Sequence, residues 1–314
     1  MSTRSITLGI VGDSAAGKTT LTRGLVRVLG EDNVTHVCVD DYHRYDRKQR
    51  AERNITPLHP ECNHMDVMAQ HLAHLRAGEP FLKPVYRHED GSFGPLVRVD
   101  PKQFAVVDGL LGYYTEELRR LYDVRLFLAP PEELRRLWKV QRDCSRRGYT
   151  TDQVLAELDR REPDSEAFIR PQQRYADIVV SFLPTGSEQD RLDAELILRP
   201  TLRHPDFGSV LDGEAAETGI RISEVDGETH LRIPGRLDPE RARALEEMIW
   251  GGLHFASHLR SDRLGEFTIG TDLHRSESLA LIQLLTLYHL FTATASVALG
   301  GEGARTPEPE QVAS

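Results

Sequence analysis

The sequence predicts an α/β protein with a mainly parallel sheet, helices on both faces, and a C-terminal strand-and-helix extension. Three observations carry that prediction. A glycine-rich loop, Gly12-Asp13-Ser14-Ala15-Ala16-Gly17-Lys18-Thr19, joins the apolar run Ile6 to Val11 to the helical pattern Thr20 to Leu29. Strand-like and helix-like segments then alternate to about residue 184. Beyond that point the pattern changes to short strands followed by two longer helices.

The loop fits G-x-x-x-x-G-K-[ST], and its strand-before, helix-after setting is what a phosphate-binding loop requires. Glycines let backbone N–H groups turn inward around phosphates, and the helix N-terminus adds positive potential. Lys18 is placed to reach the terminal phosphates, and Thr19 to offer its hydroxyl to Mg²⁺. The expectation is an ATP site of the P-loop NTPase type, built from Gly12, Asp13, Ser14, Ala15, Ala16, Gly17, Lys18, Thr19 and Thr20.

The remaining elements follow in order. Thr35 to Val39 is a second strand running into Asp40-Asp41-Tyr42-His43, which should lie beside the loop because open α/β sheets bind ligands at the carboxyl ends of their strands. Arg44 to Cys62 is polar and aperiodic and reads as a long loop. Asn63 is the expected cap of a helix from His64 to Ala77 that Gly78 stops. Phe81 to Val99 reads as two short strands around Asp90-Gly91. Phe104 to Val107 is a buried strand ending in Asp108-Gly109, the position of a second Mg²⁺-organising carboxylate. Val124 to Leu128 is a strand, Pro131 to Arg147 an arginine-rich helix ended by Gly148, Thr151 to Arg161 a helix capped by Thr151, and Ile178 to Phe182 a strand. Glu195 to Leu202, Thr218 to Glu224 and Thr229 to Ile233 read as short strands, the last two joined at Asp226-Gly227. Asp238-Pro239 opens a helix with Leu245, Ile249, Leu253 and Ala256 on its apolar face. Leu279 to Leu299 carries no charge, but its Gln283, Thr286, His289 and other polar residues argue for a buried or interface helix over a membrane span. The expected organisation is a core over residues 1–190, an extension over 191–299 and a disordered tail over 300–314.

Composition narrows the function. A formal net charge of -10 argues against nucleic acid as a partner, which would require a broad basic face. The basic residues are nevertheless clustered, at Arg44, Arg47, Lys48 and Arg50 and again from Arg135 to Arg147, which suits a small anion. Three scattered cysteines, Cys38, Cys62 and Cys144, form no disulfide framework or zinc pattern, and the N-terminus has no separate apolar leader. Both point to the cytoplasm. Neither N-K-x-D nor L-S-G-G-Q occurs, which sets aside a GTPase and an ABC-type ATPase. A small-molecule kinase needs a carboxylate to accept the acceptor hydroxyl's proton and cations to hold an anionic acceptor. Asp40 or Asp41 supplies the first and the basic clusters the second.

The string Val39-Asp40-Asp41-Tyr42-His43-Arg44-Tyr45-Asp46-Arg47-Lys48-Gln49-Arg50, continuing through Ile55-Thr56-Pro57-Leu58 to Met65-Asp66-Val67-Met68, resembles the phosphoribulokinases, in particular their cyanobacterial and plant type. So do Lys83-Pro84-Val85-Tyr86-Arg87-His88, Lys139-Val140-Gln141-Arg142-Asp143, Arg147-Gly148-Tyr149-Thr150, Arg160-Arg161 and Pro171-Gln172. The resemblance runs to about Pro184 and returns more weakly around Leu253 to Glu266. It implies ATP-dependent phosphorylation of the 1-hydroxyl of ribulose 5-phosphate, by a homodimer, in carbon fixation by the Calvin cycle. By position Asp40 would be the general base, assisted by Lys18 and Asp108. His43, Arg47 and Arg50 would hold the sugar phosphate, Arg142, Asp143 and Arg147 would steady the lid, the acceptor or the moving phosphoryl group, and Thr19 and Asp108 would hold Mg²⁺, partly through water. Arg135, Arg136 and Arg146 read as a solvated helix face, and of the neighbours Arg160 and Arg161 only one can point inward.

Two departures stand out. The family's strand-end motif is typically Glu-Gly-Leu-His, where this chain has Asp108-Gly109-Leu110-Leu111; the missing histidine bears on acceptor affinity and identity. Photosynthetic relatives pair a loop cysteine with one just before the base. Here Cys38 holds the second position but Ala16 the first, so that disulfide and its redox control are expected to be absent. The alternatives are a kinase of another sugar phosphate or of a nucleoside, and a catalytically weak ATP-binding regulator.

Overall fold

Ile6–Gly12 (β1) sits near the middle of an eight-stranded sheet because all seven of its residues are buried. Its alternate side chains feed two cores. Ile6, Leu8 and Ile10 join one hydrophobic cluster and Val11 the cluster on the opposite face, the period-2 pattern of a strand covered on both sides. The computed structural model describes residues 4–184, 192–207, 219–253, 261, 263–269 and 272–305.

The parallel part of the sheet is Val34–Cys38 (β2), Phe104–Gly109 (β5), β1, Val124–Leu128 (β6) and Ile178–Pro184 (β7), in that spatial order. Phe81–Lys83 (β3) and Val97–Val99 (β4) form a separate antiparallel pair, the base of a hairpin whose tip carries Asp90 and Gly91. Lys18–Leu29 (α1) covers one face of the sheet; Met65–Ala77 (α3) packs its Met68, Ala69, Leu72 and Leu75 into the other. Glu116–Arg120 (α4) precedes β6, and Glu132–Arg147 (α5) and Thr151–Asp164 (α6) follow it and pack on each other.

The sheet continues beyond residue 190. Leu192–Leu198 (β8) pairs antiparallel with β7 over seven residues, Glu228–Ile233 (β10) pairs with β8, and Arg221–Val225 (β9) closes the edge. Pro239–Gly251 (α7), capped by the Asp238 carboxylate, packs against Glu277–Ala298 (α8). A small hairpin, Glu266–Ile269 (β11) with Asp272–Arg275 (β12), sits between those two helices in sequence. α8 contacts α1, β1 and β8 inside the core, and its Ser278, Gln283, Thr286 and His289 are buried there. Gln283 Oε1 accepts from Gly265 N at 2.8 Å, the Thr286 hydroxyl donates to Ile282 O, and His289 pairs with His204 at 3.0 Å.

Several sequence-based expectations need correction. Arg44 to Cys62 is more than loop, since it contains a helix, Arg47–Glu52 (α2), closed by a capping box between Asp46 and Gln49. Asn63 does not cap α3; its side chain binds His43, Pro57 O and His59 O instead. The cap of α6 is Thr150, one residue earlier than expected, again in a capping box. β8 begins and ends about three residues before the predicted strand. Of the tail expected to be disordered, residues 300–305 are tethered at two points: Glu302 O accepts from Arg4, and Arg305 bridges to Leu202 and pairs with Asp177. Thr218, Ala256 and residues 306–314 lie outside the described residues.

Candidate active site

The loop after β1 is shaped by two left-handed residues, Ala15 at φ 67° and Gly17 at φ 97°, which turn successive N–H groups toward one side. A left-handed alanine costs about 1 kcal/mol, and contacts behind the loop hold it there. Asp13 Oδ1 accepts from Ser14 N at 2.6 Å, Asp13 Oδ2 accepts from the Ser165 hydroxyl, and Arg135 Nη1 donates to Ser14 O at 3.2 Å. Lys18 Nζ folds back onto the loop and donates to Gly12 O (2.7 Å) and Asp13 O (2.8 Å). Burial pulls the Lys18 pKa down, partly opposed by Asp40, Asp108 and Asp13. Thr19 and Thr20 open the helix on its exposed side.

Three carboxylates stand at neighbouring strand ends and divide their work. Asp108, at the end of β5, is buried and held from two sides: Thr22 Oγ1 donates to Oδ2 at 3.2 Å and His36 Nε2 to Oδ1 at 3.1 Å. Asp41, in the turn after β2, takes an ion pair from Lys83 and the Tyr86 N–H at 2.8 Å, so it anchors the hairpin. Asp40 lies 3.8 Å from His88 Nε2. Burial would raise its pKa, but the charges of His43, His88 and Lys18 outweigh that and hold it below the ordinary carboxylate value.

The cationic residues separate in the same way. His43 is buried, with Nδ1 2.7 Å from Asn63 Oδ1. Because the Asn63 amide nitrogen already donates to two carbonyls, its Oδ1 faces the ring and Nδ1 is the donor, which leaves Nε2 free of this bond. Burial pushes the His43 pKa down, and Asp40 pulls it partly back. Arg47 is exposed, its Nη2 donating to His88 O at 2.6 Å over Gly91, whose φ of 77° and lack of a Cβ make room for it. Arg142 is partly buried and Arg147 more exposed; desolvation lowers the Arg147 pKa most, and the charges of Arg142 and Arg47 lower it further, which marks three guanidinium groups sharing one region.

Two assignments made from sequence change. Arg50 is 7% exposed, donates to Tyr45 O (2.8 Å) and Tyr86 OH, and stacks over the Tyr86 ring at 5.1 Å, so it braces the site from behind. Asp143 is likewise buried and is the hub of an ion cluster with Lys139 (2.5 Å), Arg142 (2.9 Å) and Arg147 (3.4 Å). An acid so surrounded orients arginines. Arg135, read as solvated, is 4% exposed and grips the phosphate loop; Arg136 is only partly exposed and pairs with Asp159, and the side chain of Arg146 lies outside the described set. Both members of the neighbouring pair bind Glu157, but the Arg161 side chain is 22% exposed against 42% for Arg160, and it is the Arg161 charge that acts on Asp40 and Lys139. Thr22, His36 and Ser165 carried no sequence signal, because each reaches its partner across the tertiary fold. Arg135 did carry one: Arg135, Lys139 and Asp143 recur every fourth residue, one buried stripe of α5.

Leu111 is buried in a small apolar cluster with Leu58, Leu110 and Ile169. Cys38, Cys62 and Cys144 are free thiols, and Ala16 is fully buried.

Strand order, phosphate loop and strand-end acids together define a P-loop kinase fold. Comparison with known proteins narrows this: residues 7–188 match the Phosphoribulokinase / Uridine kinase family, to which the chain belongs. Among curated proteins it is 39% identical to phosphoribulokinase of Synechocystis sp. over 188 residues, covering 60% of this chain and 57% of that one. It is 35% identical to the chloroplastic phosphoribulokinase of Triticum aestivum over 197 residues, 57% of this chain and 49% of that one. The chain thus spans about half the length of these relatives. Among solved structures, phosphoribulokinase from Rhodobacter spheroides superposes with a TM-score of 0.60 at 18% identity, covering 82% of this chain and 99% of that one, a likeness of fold.

Proposed function

We propose that this chain is an ATP-dependent kinase that transfers the γ-phosphoryl group to the 1-hydroxyl of ribulose 5-phosphate, giving ribulose 1,5-bisphosphate and ADP. The observation that carries the reading is Asp40: a carboxylate in the turn after β2, 3.8 Å from His88 Nε2, on which the charges of His43, His88, Lys18 of the phosphate loop and Arg161 act. Asp40 accepts the acceptor hydroxyl's proton as the oxygen attacks. Lys18 leaves its loop carbonyls for the β- and γ-phosphates, and Arg47, Arg142 and Arg147 hold the acceptor's phosphate and the charge on the moving group. Arg50 and Asp143 are positioning residues. His43 presents Nε2 to the acceptor.

The donor set fits Mg²⁺. Asp108 and Thr19 offer hard oxygens, and the two hydrogen bonds on Asp108 orient its carboxylate while leaving lone pairs open. Bound Mg²⁺ would offset the charge on the β- and γ-phosphate oxygens. An uncharged nucleoside acceptor would leave Arg47, Arg142 and Arg147 without an anion, which favours a sugar phosphate.

The proposal extends to a cytoplasmic homodimer with neither nucleic acid nor membrane as partner, for which the net charge of -10 and the family likeness are the support. It also treats residues 1–190 as the catalytic core and 191–299 as an extension that completes its sheet. Asp40→Asn tests the assignment of the base. The expected result is a kcat lower by about 10²- to 10⁴-fold with little change in the KM for ATP; an unchanged kcat would assign the base elsewhere.

A further inference from the structure

At the mouth of the site three chemically different ligands converge from separate segments: the Cys38 thiol at the end of β2, the Asp40 carboxylate in the following turn, and the His88 imidazole on the β3–β4 hairpin. One ligand atom from each lies within 4.8 Å of the others, and His88 Nε2 is 3.8 Å from Asp40 Oδ2. Donors around a tetrahedral zinc stand roughly 3.3–3.8 Å apart, given bonds of about 2.0–2.3 Å. Closing the triangle therefore needs only a small movement, and His88, half-exposed on a hairpin, can supply it.

We propose that Cys38, Asp40 and His88 form a binding site for a thiophilic divalent cation of the Zn²⁺ type. The donor set selects the metal: one sulfur, one imidazole and one carboxylate suit zinc and its neighbours, whereas Mg²⁺ prefers an all-oxygen shell. Burial, and then the nearby carboxylates of Asp40, Asp108 and Asp41, raise the Cys38 pKa, so in the free protein the thiol keeps a proton that the metal must displace. On binding, the S–H bond breaks, its electron pair forms the sulfur–metal bond, and the proton leaves to solvent. Three protein ligands leave a fourth position for water.

The functional consequence is inhibition, because a cation on Asp40 withdraws that carboxylate from an acceptor hydroxyl. This consequence rests on the reading of Asp40 as base; the binding itself does not. The test is therefore spectroscopic. The full chain, stripped with chelator and free of nucleotide, is titrated with Co²⁺, and the near-ultraviolet thiolate-to-cobalt charge-transfer band is followed. The expected result is a saturable band that Zn²⁺ displaces, that Cys38→Ser abolishes, that Cys144→Ser leaves intact, and whose midpoint rises about tenfold or more in His88→Ala. No band, or a band that survives Cys38→Ser, overturns the proposal. In the companion kinase assay with Mg-ATP in excess, micromolar-range Zn²⁺ should inhibit the native chain and lose that effect in Cys38→Ser. A chain with no kinase activity would still show the cobalt band, whereas an active chain without it refutes the metal site alone.

Discussion

Asp40 and Asp41 are adjacent and chemically identical, and the fold gives them different tasks. Asp41 is bound to Lys83 and the Tyr86 N–H, and Asp40 faces the cations. Their presence after a strand was legible in the sequence. Their division was not, because the partners that separate them come from a hairpin more than forty residues on. Arg160 and Arg161 make the converse case. Helical geometry alone requires that one point away, and the lower exposure of Arg161, whose charge acts on Asp40, shows which, although Glu157 holds both. Arg161→Ala is accordingly expected to lower kcat/KM by several-fold, through loss of its charge near Asp40 and Lys139. Arg160→Ala, on the outer face, should stay within about twofold. Steady-state kinetics of the two variants side by side checks this, and equal losses would contradict it.

At the scale of elements α5 shows why a charge count misleads. Its arginines look like a wet face, yet Arg135, Lys139 and Asp143 line a buried stripe that ties the phosphate loop to the arginine cluster. Burial and then Arg142 push the Lys139 pKa down to about 8, and only the Asp143 hydrogen bond and charge keep it that high. Burial alone would raise the Asp143 carboxyl; Arg142 and Lys139 win and hold it below its ordinary 3.8. A carboxyl with a depressed folded pKa contributes stability above its unfolded value, and that contribution is lost as pH falls through the folded one. Asp143→Asn should therefore destabilise the protein by about 3 kcal/mol at neutral pH, since it strands buried Lys139. Urea unfolding of both proteins from neutral pH to below 3.8 should show the difference shrinking. A constant difference would place the effect in packing.

Across the whole molecule, the parallel strands and their helices were legible because buried strands carry unbroken apolar runs and glycine ends the helices. The antiparallel continuation was less so. A short alternating strand does not reveal which sheet edge it joins, and here β8 pairs with β7 along its full length. Nor did composition reveal that the Gly/Glu tail is pinned at Glu302 and Arg305, because Arg4 and Asp177 lie far away in sequence. The polar residues in α8 pointed to a buried or interface helix, and its Ser278, Gln283, Thr286 and His289 are buried. Its contacts with α1, β1 and β8 make it part of the same core as the phosphate loop's strand. Truncation after residue 190 should consequently yield a chain that lacks a cooperative thermal transition and binds a hydrophobic dye; a sharp transition would contradict this dependence.

The most direct measurement of the central claim is coupled ADP release with Mg-ATP, comparing ribulose 5-phosphate with ribose 5-phosphate and uridine. The account predicts selective turnover of ribulose 5-phosphate that collapses in Asp40→Asn, with Leu111 tolerated in its apolar cluster. Preference for another acceptor would contradict the substrate assignment, and ATP binding without turnover of any acceptor would contradict the kinase itself.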